Sequence, residues 1–121
     1  MFFYVNLNPL GKKTGDCVIR ATALALGVDW YKASDLLYRQ ARNCGCEMSC
    51  IGCYSKLFEQ LGLQKIDLSN TELTVEQAAI LYKDNTVIIR IKGHLTCALN
   101  GKIHDIWDCS QENVDCMWVV K

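Results

Sequence analysis

Cysteine and histidine are the side chains that do covalent and acid–base chemistry near neutral pH, and this chain has eight of the first and two of the second. Cys17 stands where a turn-rich stretch, Asn6 to Asp16, gives way to the apolar run Val18 to Gly27. A thiol there opens a helix, where free backbone N–H groups and the positive end of the dipole favour the thiolate. The same N–H groups can hold the oxyanion formed when that sulfur attacks a carbonyl. The plainer reading of Cys17 is a small core residue, the usual fate of a cysteine in an apolar helix. His94 follows Gly93 at the head of a strand-like run, and is either the base for that thiol or a structural histidine.

A hairpin links His94 to an acid. Asn100-Gly101, between two strand patterns, is the signal for a two-residue type I′ turn, which pairs Leu99 with Lys102 and sets His94 opposite Trp107. Side chains alternate between faces, so His94, Asp105 and Trp107 share one. Asp105 is then the diagonal neighbour that orients the imidazole, and Trp107 covers the pair against water. Asp108 and His104 fall on the opposite face; Asp108 ranks second as the orienting acid.

Cys44, Cys46, Cys50 and Cys53 place four thiols in one short segment, the number that closes a tetrahedral zinc site. Only Cys50 and Cys53 have the common two-residue spacing, and free thiols or local disulfides compete with metal. This cluster carries the rival function: a structural-zinc or protein-interaction module in which Cys17 and His94 merely pack. Cys97, Cys109 and Cys116 lie in or beside strands and read as packing residues.

The elements that must position these groups are legible from periodicity and turn chemistry. Met1 to Asn6 reads as a short first strand. A helix opens at Cys17, is apolar on nearly every side and ends at Gly27; a second, amphipathic one begins after Asp29. Tyr54 to Leu61 closes at Gly62, and Thr74 to Tyr82 carries Thr74 and Gln77 at capping-box spacing. Strands are expected over 86–91, 94–99, 102–107 and 117–120. The expected fold class is α+β, one domain over 1–121, with a buried N-terminal helix packed on a C-terminal antiparallel sheet.

Half the 121 residues are hydrophobic and one is proline, which fits a packed core rather than a disordered chain. Thirteen basic and thirteen acidic side chains cancel, so charge gives no ground for a nucleic-acid or membrane partner. The N-terminus lacks a basic region and a long apolar stretch, and no apolar run would span a bilayer. The expectation is a cytoplasmic protein whose partner is a peptide, protein or amide substrate.

Cys17 opening a buried helix, His94 opening a later strand and Asp105-Ile106-Trp107 on the next strand together resemble the papain-like cysteine peptidases, whose nucleophile, His and Asn-x-Trp come in that order. Asp16-Cys17 is similar to the Asp-Cys pair of the bacteriocin-processing peptidase domains of exporters, which use Asp as the third member. The resemblance implies a compact papain-like fold and a Cys17-His94-Asp105 triad that needs no cofactor for catalysis. The family's oxyanion-hole Gln, six residues before the nucleophile, falls on Gly11 here. Asn8, and after it Asn6, offers the same kind of donor, and both are equally turn formers. A papain-like fold without activity, serving as a binding partner, is the third reading.

Overall fold

The computed structural model describes residues 1–120; Lys121, the last residue of the expected domain, lies outside them. Ten elements follow in order: β1 (Phe2–Tyr4), α1 (Cys17–Leu26), α2 (Trp30–Cys44), α3 (Ile51–Gln60), β2 (Gln64–Asp67), α4 (Val75–Leu81), β3 (Thr86–Ile91), β4 (His94–Leu99), β5 (Lys102–Asp105) and β6 (Cys116–Val120). The helix ends follow the cap chemistry of the sequence. Gly27 takes the left-handed conformation, φ 66°, and its N–H returns to Ala23 O. Asp29 accepts from Lys32 N–H at the start of α2, and Thr74 and Gln77 form a reciprocal capping box on α4.

The strands form one sheet in the order β1-β5-β4-β3-β6-β2. Asn100 and Gly101 both have positive φ, 52° and 78°, and Leu99 pairs with Lys102 as that turn requires. The sheet is mixed rather than antiparallel throughout, because β1 lies parallel to β5, Phe2 opposite Ile103 and Tyr4 opposite Asp105. The strand β2 carries no apolar alternation that marks it in the sequence; it forms by pairing with β6. The second hairpin strand stops at Asp105, two residues short of expectation, so Trp107 lies beyond the ladder.

Both faces of the sheet are covered, which the picture of one helix over a sheet does not include. Val18, Ile19, Leu37 and Phe58 of the first three helices meet Ile88, Leu95, Cys97 and Trp118 on one face. On the other, Val75, Ala78 and Ala79 of α4 meet Val87, Ile89, Ile103 and Met117. Burial on both sides is why β3 reads as an unbroken apolar run, Val87-Ile88-Ile89, instead of an alternating one. The architecture is mixed α+β. No helix of the described residues is long and apolar enough to cross a membrane.

Candidate active site

The site forms where the start of α1 meets the start of β4. Asp16 is the N-cap of α1, but its carboxylate makes no cap hydrogen bond, and no acid stands in the first turn. The first N–H groups of the helix, Cys17 among them, therefore receive no side-chain cap. The reason Asp16 does not cap is that it is otherwise engaged. Its Oδ1 accepts from Arg20 Nε at 2.7 Å, and its Oδ2 from Trp30 Nε1 at 2.9 Å and Asn8 Nδ2 at 3.1 Å.

Arg20 then reaches across the layer: its Nη1 donates to Asp105 Oδ1 at 2.9 Å. Ile106 N–H donates to the same oxygen at 2.7 Å. Asp105 Oδ2 lies 2.6 Å from His94 Nε2, which leaves the other ring nitrogen, Nδ1, for Cys17. Trp107 stands edge-on to the His94 ring, centroids 4.9 Å apart, while itself 45% exposed, so it shields one side of the ring only. A continuous polar chain, Trp30 and Asn8 to Asp16, Arg20, Asp105 and His94, thus runs through the interior and ends in the cleft that His94 shares with Cys17. Asp16, Arg20 and Asp105 are all at least 94% buried.

The charges set one another. Burial works against the Cys17 thiolate, but the hydrogen bond from His94, the Leu95 N–H and the positive charges of His94 and Arg20 outweigh it and lower its pKa. Burial likewise works against the imidazolium, yet the hydrogen bonds and charges of Asp105 and Cys17 raise His94 to about 9. Asp105 stays below the ordinary carboxylate range, because His94 and Arg20 offset its burial. The two shifts are opposed, thiol down and imidazole up, and each favours the charged form of the pair, with the carboxylate behind the ring. The contrast with the packing cysteines is plain: Cys97, Cys109 and Cys116 are buried, and burial pushes each thiol up, Cys109 to about 12.

Cys17 and His94 open on a cleft of about 490 Å³, whose walls include Gly15, Gly93, Cys50 and Tyr54. Asn8 does not line it. Its amide donates to Asp16 and its Oδ1 accepts Leu10 N–H at 3.0 Å and Lys12 N–H at 3.2 Å, so it organises the loop before α1 instead of facing the sulfur. Asn6 has the same occupation, donating to Lys12 O and accepting Asn8 N–H. Asp108 caps a local turn through Ser110 N–H and leaves the imidazole to Asp105. His104 stacks on Phe3 on the other side of the sheet edge.

The four-thiol zinc site is replaced by a bridge. Cys46 and Cys53 form a disulfide with Cα atoms 5.8 Å apart, while Cys44 and Cys50 remain free and exposed. The end of α2 turns at Gly45 and α3 starts after Cys50, which brings 46 and 53 together and points the other two outward. Thiol titration in denaturant is expected to find six thiols before reduction and eight after; eight at the outset would remove the bridge. Among the described residues, the group whose ligand atoms lie together, within 4.8 Å, is instead His94, Asp105 and Cys109. That cluster is compatible with catalysis or with a metal ion.

One member of the network, Arg20, and one residue of the cleft wall, Tyr54, were not marked by the sequence motifs. Arg20 sits inside a run that reads as apolar, and the signal for it is that a buried guanidinium demands carboxylates, one of which stands at i−4. Tyr54 has no sequence signal beyond its place on a helix. Compared with known families, curated proteins and solved structures, the chain matches none.

Proposed function

We propose that the protein is a thiol-dependent acyl-transfer hydrolase acting on peptide or amide bonds, with Cys17 as nucleophile, His94 as acid and base, and Asp105 as the group that orients His94. The observation that supports it is the pair of opposed shifts at one contact, Cys17 down and His94 up to about 9, with Asp105 Oδ2 2.6 Å behind the ring. The thiolate attacks the carbonyl carbon and the carbonyl π pair moves to oxygen. His94 gives its proton to the leaving amine, the thioester forms, and water deprotonated by His94 then releases the acid. The order of these residues along the chain and the Asp105-Ile106-Trp107 sequence support a papain-like peptidase as the finer reading.

The metal reading of His94, Asp105 and Cys109 fits less well. Asp105 already faces the Arg20 cation, and His94 Nε2 would have to leave Asp105 to bind an ion.

Iodoacetamide labelling against pH, read by peptide mapping, tests the proposal. Cys17 is expected to label well below the pH of an unpaired thiol, with Cys97 inert in the folded state, and His94→Ala is expected to abolish the shift. Labelling of Cys17 that follows an ordinary thiol curve in the wild type would sink the ion pair and the enzyme with it.

A further inference from the structure

Attack at a carbonyl builds negative charge on oxygen, and two donors usually share it. This inference rests on the acyl-transfer reading above. The Cys17 N–H, without a side-chain cap at the head of α1, is one donor. With Asn8 and Asn6 engaged in their own loop, a second must come from the cleft wall.

Of the side chains there with a proton to give, Ser49 and Cys50 are exposed and Arg90 is engaged with Tyr54 and Asp115, which leaves Tyr54 as the buried donor. It projects from the first turn of α3 into the cleft that Cys17 and His94 share. Its ring is wedged against Phe58 and Trp118, centroids 5.6 and 5.7 Å away, and the residue is 4% exposed, so the hydroxyl has a fixed place. Arg90 Nε donates to Tyr54 Oη at 3.1 Å, and Arg90 is in turn ion-paired to Asp115. The phenolic oxygen is therefore occupied as an acceptor from the guanidinium side. Among the described residues no hydrogen bond donated by its own O–H is found, so that proton is available to a ligand in the cleft.

We propose that Tyr54 is a catalytic residue, whose hydroxyl donates to the oxyanion opposite the Cys17 N–H. Arg90 makes that hydroxyl a stronger donor than burial alone would leave it, by withdrawing charge from the oxygen. Burial keeps the proton in place, raising the Tyr54 pKa to about 12 against the pull of Arg90. The donor is thus intact across the range in which the Cys17–His94 ion pair exists. When the tetrahedral intermediate collapses, the oxygen's electron pair reforms the carbonyl, the leaving group departs, and Tyr54 keeps its proton throughout.

Two reactions of the same sulfur separate this role from support of the thiolate. Acylation by p-nitrophenyl acetate passes through an oxyanion, whereas alkylation by iodoacetamide is displacement at a saturated carbon and forms none. Tyr54→Phe, with the Cys17→Ala rate subtracted from each protein, is expected to acylate about a hundredfold more slowly. Its iodoacetamide rate and pH profile at Cys17 are expected to match the wild type, with both proteins shown folded by thermal melting. Equal acylation rates would overturn the role, and so would a parallel fall in both reactions, which places Tyr54 behind the thiolate instead. A wild type that alkylates at low pH but is never acylated at Cys17 rejects the acyl-transfer reading itself, and the Tyr54 role falls with it.

Discussion

Arg20→Ala is expected to lower the free energy of unfolding by about 3–5 kcal/mol, a large part of what a domain of this size has. The side chain is 95% buried, and its Nε and Nη1 hold two different carboxylates, Asp16 and Asp105. Removing it leaves both acids inside without their cation, and that desolvation is what makes a broken buried pair so costly. The remaining donors, Trp30 and Asn8 on Asp16 and His94 and Ile106 on Asp105, place the effect toward the lower end. Urea unfolding at neutral pH measures it. Arg20→Lys recovers only part, since one ammonium cannot reach two carboxylates from two separate nitrogens. The pH dependence follows from sign. Asp16 and Asp105 both have pKa values lowered by folding, so their contribution is present above the unfolded carboxylate value and is lost as pH falls through the folded one. Without Arg20 those folded values rise, less stabilisation is there to lose, and stability falls less steeply with acid below about pH 5. An unchanged acid slope together with an unchanged urea midpoint would mean that Arg20 does not join the two carboxylates.

The groups that the sequence brings together are those whose spacing is set by one local device. Asn100-Gly101 fixes the hairpin register, and once Leu99 faces Lys102, alternation alone places Asp105 beside His94. The capping box at Thr74 and the left-handed Gly27 are legible for the same reason, each being decided within four residues. What long-range pairing decides is not legible. Residues 64–67, Gln-Lys-Ile-Asp, become a strand only because β6 offers an edge, and the parallel seat of β1 depends on which edge of β5 stays open. The second face of the sheet hides in the apolar run of β3, which fits a strand buried on both sides as well as it fits a strand in a one-sided sheet. Four nearby cysteines count as four ligands on paper. In space, the turn after α2 turns two of them toward each other and leaves two outside. Arg20 and Tyr54 escaped because their partners, Asp105 and Arg90, lie 85 and 36 residues away.

Asp105→Asn is expected to reduce turnover on the order of 10³- to 10⁴-fold while leaving the fold in place. The carboxylate accepts on both oxygens, Oδ1 from Arg20 Nη1 and Ile106 N–H and Oδ2 from His94 Nε2. An amide has one oxygen. Two donors converge on the Oδ1 side, one of them a buried cation, so the amide oxygen settles there and its NH₂ turns to His94. Nε2 must then accept, which puts the ring proton on Nδ1, the nitrogen that faces Cys17. A neutral imidazole protonated at Nδ1 cannot take the thiol proton, and the loss of the negative charge behind the ring removes the support of the imidazolium. Both limbs of the pH profile respond. In the wild type the ion pair exists above the lowered pKa of Cys17 and below the value near 9 at His94, and the two limbs belong to the coupled pair. In the variant the alkaline limb moves down, because His94 loses its main partner, and the acid limb moves up, because Cys17 loses the cation that favours its thiolate. The window closes from both sides, which a simple change in stability does not produce. Measuring the Cys17 alkylation profile and turnover on the same preparation checks both statements. A variant whose profile overlays the wild type would show that the carboxylate neither orients nor charges the ring.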